Sequence, residues 1–401
     1  MLNIAYTLHQ WYGRARPFAL ATVTDVSGSA PLPVGSALAV DTEGTAVGSV
    51  SGGCVEAAVY DLCRHVLAHG GPPVRTRFGY SDDDAFAVGL TCGGEIEVLV
   101  QRVDPAAEAH LAAALEAVLA GRPCAVAHVI DGPREFLGRT LRVSDGGPHD
   151  GILDGTHDGS LGGANEDKVV AAHARALLRA GRTARVEVGG EADTCPTRLT
   201  VLVHTHAHRP RMLIFGAVDF AAALSQAGRF LGYHVTVCDA RPVFTTRARF
   251  PHADEIVTDW PHRYLAATET DARTAVCVLT HDAKFDIPLL RSALALPVGY
   301  VGAMGSRRTH DRRVDLLREA GVPEEQLARL HSPIGLDLGA RTPEETALSI
   351  TAEIIAHANR GTGLPLSHGT GRIHPPAQPL PGLAGVGNPW NAGSVQVRVV
   401  V

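Results

Sequence analysis

The stretch Gly48-Ser49-Val50-Ser51-Gly52-Gly53-Cys54-Val55-Glu56 decides how this chain is read. Leu38, Val40 and Val47 lead into it with the spacing of strands. Val55, Val59, Leu62, Val66 and Leu67 leave it at helical spacing. Cys54 is therefore expected where a strand turns into a helix. Gly52 and Gly53 tolerate positive φ and allow close approach of a ligand to the backbone. Ser51, Gly52 and Gly53 would aim N–H groups, and the positive end of the helix dipole, at an anion or a thiolate. A second stretch, Gly89-Leu90-Thr91-Cys92-Gly93-Gly94, also joins a cysteine to two glycines before a strand. Cys54 and Cys92 together would suit a soft metal or a bulky anionic cofactor. The alternative is that both thiols are small buried hydrophobes and the glycines serve turns.

Working outward, residues 1–103 and 104–208 read as two copies of one α/β unit. Helices ending at Arg16-Pro17 and Arg122-Pro123 each precede a strand, residues 18–23 and 124–129. Gly52-Gly53-Cys54-Val55-Glu56 aligns with Gly162-Gly163-Ala164-Asn165-Glu166, and Thr91-Cys92 with Thr194-Cys195. Copy two has Ala164 in place of Cys54 on this alignment, and Pro196-Thr197 in place of Gly93-Gly94. Copy one is thus expected to hold the chemistry and copy two to be scaffold.

Residues 209–360 follow a βαβ pattern and predict a Rossmann-like, doubly wound parallel sheet. A strand runs into Gly216, a helix follows from Asp219, and the next strand ends at Asp239. An acid 23 positions after Gly216 fits a ribose-binding carboxylate of an NAD(P) site. Val218, however, stands where the second glycine of the dinucleotide fingerprint belongs. Arg241 can meet a phosphate or pair with Asp239. Gly305, Ser306 and Arg307 form a second expected anion cradle at a helix start, with Arg312 and Arg313 read as solvated. His281 and Asp282, at a strand's carboxyl end, are candidates for acid–base work or for a structural hydrogen bond. Thr342-Pro343-Glu344-Glu345 reads as a capping box. His204, His206 and His208 alternate, and are read as a linker edge rather than a metal site. Residues 361–401, rich in Gly and Pro, read as a tail.

Composition narrows the classes. At 401 residues the chain exceeds one ordinary core. A net charge of −6 leaves no electrostatic footprint for nucleic acid. No apolar run is long enough for a bilayer. The N-terminus lacks the pattern of a signal peptide. Seven scattered cysteines without a Cys-x-x-Cys pair argue for a reducing cytoplasm.

These motifs resemble the XdhC/CoxI family of accessory proteins for molybdenum hydroxylases. The resemblance rests on residues 48–56 and 89–94, on Arg249-Phe250-Pro251 with Ala253-Asp254, and on Leu279-Thr280-His281-Asp282. It continues through residues 300–308 and Pro333-Ile334-Gly335-Leu336-Asp337. It implies a carrier of the molybdenum cofactor (molybdopterin), with Cys54 and Cys92 toward the metal. Such a carrier holds the cofactor while a cysteine desulfurase supplies sulfur. It then delivers the cofactor to a client such as xanthine dehydrogenase or carbon monoxide dehydrogenase. A homodimer is left open. The competing readings are an NAD(P)-dependent oxidoreductase using Asp239 and His281, and a sulfurtransferase with a persulfide on Cys54.

Overall fold

The computed structural model describes residues 1–28, 30–79, 94–144, 157–189, 198–368 and 398–400. The chain divides into two compact units, one over Met1–His208 joined by the C-terminal residues, and one over Arg209–Gly369. No helix among the described residues is long and apolar enough to cross a membrane.

The first unit holds two antiparallel sheets. One contains β1 (Phe18–Ser27), β2 (Ala37–Asp41), β3 (Ala46–Gly48), β4 (Val74–Phe78) and β5 (Glu95–Val103), with α1 (Ala5–Gly13) and α2 (Glu56–His69). The other contains β6 (Cys124–Asp131), β7 (Thr140–Ser144), β8 (His157–Gly159), β9 (Ala184–Val188) and β10 (Leu199–His206), with α3 (Ala109–Leu119) and α4 (Ala164–Ala180). Strand orders β3-β2-β1-β5-β4 and β8-β7-β6-β10-β9 are the same path traced twice. Register agrees residue by residue. Phe18 stands opposite Asp41 and Val103, and Cys124 opposite Ser144 and His206.

The apolar alternation of these strands buries one face under α2 and the other sheet's face under α4. A third core joins α1, α3, β1, β2 and β6 and so ties the halves together. The joint is isologous, like that of a two-fold dimer. Arg75 on β4 pairs with Asp131 on β6 at 2.5 Å, and Arg185 on β9 pairs with Asp25 on β1 at 2.5 Å. Gln101 and its counterpart His204 are both buried at this joint. His204 is therefore a core residue, 4 % exposed, and not part of the linker edge expected before the domain junction. The reason is that β10 runs on through His206, so burial of His204 follows from its strand position.

The second unit is a parallel sheet in the order β13-β12-β11-β14-β15-β16. Its strands are β11 (Arg211–Phe215), β12 (His234–Asp239), β13 (Glu255–Thr258), β14 (Ala275–Val278), β15 (Tyr300–Ala303) and β16 (Leu330–His331). Helices α5 (Asp219–Phe230) and α10 (Pro343–Asn359) cover one face. The other is covered by α6 (Pro261–Ala267), α7 (Ala283–Ala295), α8 (Arg307–Glu319) and α9 (Glu324–Leu327). The capping box that opens α10 is formed by Thr342 and Glu345. One departure concerns the expected tail: Arg398–Val400 form β17, antiparallel to β9. An unpaired sheet edge accepts such a strand through backbone bonds alone.

Candidate functional site

Between β3 and α2 the chain closes a tight corner. Gly48 has φ +87°, and a Cβ there would lie 2.1 Å from the carbonyl oxygen of Ala37, so only glycine fits. Gly52 and Gly53 also have positive φ, at +73° and +124°, but their missing Cβ atoms would meet nothing closer than 3.9 Å. Their freedom is conformational, and it leaves the outer side of the corner open.

The carboxylate of Glu56 folds back into this corner. It accepts from Ser49 Oγ at 2.6 Å, Val50 N at 3.2 Å, Ser51 N at 2.8 Å and Gly53 N at 2.7 Å, and from the Ser51 hydroxyl. Gly52 N donates to Ser49 Oγ at 3.0 Å. Burial opposes ionisation of Glu56, but the Ser49 and Ser51 hydroxyls and the backbone donors outweigh it and hold the carboxyl at about 2. The N–H groups that the sequence offers to an anion are thus occupied by the chain's own carboxylate.

Cys54 sits two residues before α2, half-buried. The other described cysteines are buried, and burial pushes Cys63, Cys238 and Cys277 to about 12 and Cys124 to about 11. Among the described residues Cys54 is therefore the thiol placed for chemistry. Cys92 and Gly93 lie outside the described residues; Gly94, just before β5, is buried.

The second corner shows the same clamp. The Asp167 carboxylate accepts from Ser160 Oγ at 2.8 Å and from Leu161 N at 2.7 Å. Gly159 has φ +92°, and its Cβ would meet the carbonyl of Thr140 at 2.5 Å. Gly48 therefore matches Gly159, Ser49 matches Ser160, and Glu56 matches Asp167. This corrects the glycine-led alignment by one residue: the counterpart of Cys54 is Asn165, not Ala164.

In the second unit the candidates line the carboxyl end of the sheet. A Cβ on Gly216, φ +110°, would lie 3.0 Å from Thr280 N, so the loops after β11 and β14 touch there. Asp239, 2 % exposed, accepts from Ala217 N at 2.8 Å and from Arg241 Nε at 2.9 Å and Nη2 at 2.8 Å. Burial opposes its ionisation, but these bonds keep the carboxyl below its usual range. Arg241 lies 4.6 Å over the Phe244 ring. Asp282 caps α7 by accepting from Lys284 N at 3.1 Å and pairs with Lys284 Nζ at 2.9 Å, beside exposed His281. Ser306 caps α8 through Thr309 N at 3.1 Å, with Gly305 before it and exposed Arg307 after it.

Arg313 is not solvated. It is 4 % exposed and donates to Asp286 at 3.1 Å, Ser332 Oγ at 3.0 Å and Met304 O at 2.9 Å. Asp286 is equally buried and accepts from the Thr280 hydroxyl. A signal existed: Asp286 shares a helical stripe with Leu289, Leu290 and Ala293, as Arg313 does with Leu317. Two opposite charges in two apolar stripes call for each other.

Residues 11–79 match the XdhC and CoxI family, and residues 212–354 match the XdhC Rossmann domain. The chain belongs to the XdhC and CoxI family. The family match in the first unit takes in the corner at Cys54 and stops short of the corner at Asn165. A Bacillus subtilis protein described as a probable xanthine dehydrogenase subunit is 27 % identical over 345 residues, 85 % of this chain and 93 % of that protein. The molybdenum cofactor insertion chaperone PaoD of Escherichia coli is 24 % identical, covering 87 % of this chain and 86 % of its own. A crystal structure described as a xanthine dehydrogenase from Bacillus halodurans superposes with a TM-score of 0.62 at 25 % identity. It covers 89 % of this chain and 96 % of that one.

Proposed function

We propose that this XdhC and CoxI family member carries the molybdenum cofactor during maturation of a molybdenum hydroxylase. The observation that carries the reading is Cys54, a half-buried thiol on an open glycine corner at the start of a helix. A thiolate is a soft ligand suited to the metal end of such a cofactor. The phosphate end does not fit the same corner, because Glu56 already holds the N–H groups of Val50, Ser51 and Gly53. When bound, the cofactor supplies the metal centre of the client. The chain's own residues supply the thiol and the clamp that fixes it. Cys92 is proposed as the second thiol.

On this reading the chain would hold the cofactor in the cytoplasm while a cysteine desulfurase replaces an oxo ligand with sulfur, and would then deliver it to a client such as xanthine or carbon monoxide dehydrogenase. The name of the E. coli relative supports the insertion step. The dinucleotide reading gains no support from Asp239, whose two oxygens are engaged by Arg241 and Ala217. The test is to purify the protein from a molybdopterin-competent host and measure bound pterin by fluorescence. Wild type is expected to retain pterin and Cys54→Ala to lose most of it; equal retention overturns the reading.

A further inference from the structure

A cavity of about 320 Å3 opens between the two halves of the first unit, within the size range of small-molecule sites. Its walls carry Gln101 and Arg102 from β5, Glu108 before α3, Arg139 and Thr140 at the start of β7, and Ser160. Gly71 and Pro73 also line it, at the far end of α2 from Cys54. With 14 residues in α2, that end is roughly 20 Å from the glycine corner.

The pseudo-two-fold shows what the fold itself requires at this position. Arg16 N bonds to Trp11 O as Arg122 N bonds to Ala117 O, which sets the match between α1 and α3. Leu2 and Ile4 then correspond to Glu108 and His110. The corners agree: a Cβ at Gly48 would lie 3.2 Å from Ile4, and one at Gly159 3.2 Å from His110. Ala37 corresponds to Thr140, since each carbonyl lies under its corner glycine. The first half therefore closes this position with Leu2, Ile4 and Ala37, all buried. The second half puts a carboxyl, an imidazole and a hydroxyl there and leaves space. His110 Nε2 lies 2.5 Å from Thr140 Oγ1, which donates to Glu108 at 3.4 Å. The architecture does not need these polar groups, because an apolar set closes the same corner.

We infer that this cavity binds a small anionic molecule that also carries an ammonium or N–H donor, the anion meeting Arg102 and Arg139 and the donor meeting Glu108. Both arginines are braced: Arg102 donates to Leu67 O at 3.1 Å, and Arg139 lies 5.0 Å over the Phe136 ring. Burial raises the Glu108 carboxyl to about 7, with Asp104 adding and Thr140 opposing. The titratable and charged groups around it are Asp104, His110, Tyr12 on α1, and the two arginines on the wall. The donor end needs Glu108 ionised, so affinity rises as pH passes upward through about 7. This inference stands apart from the cofactor reading, and retention of pterin does not bear on it.

The test is calorimetric titration of the full-length protein with phosphoethanolamine, and separately with inorganic phosphate. Saturable binding of phosphoethanolamine at about 1 mM or tighter is expected. Phosphate alone should bind about tenfold more weakly. Glu108→Gln should weaken phosphoethanolamine about tenfold and flatten the pH dependence. The double variant Glu108→Leu, His110→Ile copies the first half; it should fold with an unchanged or higher melting temperature and lose the preference for phosphoethanolamine over phosphate. Absence of saturation, equal affinity for the two probes, or unchanged affinity in both variants overturns the inference.

Discussion

At residues 48–56 a glutamate closes the glycine corner, and two residues before it stands a half-buried thiol packed against the core under α2; at residues 159–167 an aspartate closes the corner and exposed Asn165 stands at that place. The shared parts are the glycine over a carbonyl, the serine one residue later, and the carboxylate seven residues beyond that serine. What both halves keep is what a strand-to-helix corner in this sheet needs. What differs is Ser51-Gly52-Gly53-Cys54 against Gly162-Gly163-Ala164-Asn165. Chemistry is therefore to be sought in the second group. The halves differ again at the cavity, where it is the second half that turns polar. Each half departs from the common architecture at a different place.

The largest effect tests the shared part. Gly48→Ala forces a Cβ to within 2.1 Å of the Ala37 carbonyl, and Gly159→Ala to within 2.5 Å of that of Thr140. Each also holds a positive φ. Each variant should lose at least about 3 kcal/mol in denaturant unfolding. A large loss in one half with none in the other breaks the equivalence.

Next come the clamps. Glu56→Gln keeps the shape but removes the charge and presents an amide to backbone donors. A loss of about 2 kcal/mol is expected, with a similar loss for Asp167→Asn. Only the first should also lower pterin retention. The sign of the pH effect follows from the depressed carboxyl of Glu56. Its contribution is present above the unfolded value, about 4.3, and is lost as pH falls toward about 2. Acid unfolding of Glu56→Gln should therefore be flatter between those values than that of wild type.

Much of this is legible in the sequence. The period-2 strands, the helical stripes of α2 and α10 and the capping box at Thr342 are local patterns, and the fold they predict is the fold observed. The repeat is legible too, but the paired glycines misplace its register by one. They are conspicuous, while the true anchor is a serine and an acid seven residues apart, which no local pattern joins. Arg313 reads as solvated because its partner Asp286 is 27 residues away. The cavity cannot be read from the sequence at all. Its walls come from both halves, and although the repeat aligns Glu108 and His110 with Leu2 and Ile4, only the fold shows that these residues meet at a corner beside a cavity. Cys92 and Gly93 fall outside the described residues, and the pairing of Cys54 with Cys92 stays a proposal.

The smallest expected change in stability makes the sharpest contrast. Cys54→Asn installs the second half's residue at the first half's corner. The position is half-buried and its counterpart already accepts asparagine, so unfolding should shift by less than about 1 kcal/mol. Pterin retention should nevertheless fall to the level of Cys54→Ala. If stability falls with retention, the thiol is packing and the difference between the corners is structural. If stability holds while retention is lost, the thiol is the feature that separates a binding corner from a closed one.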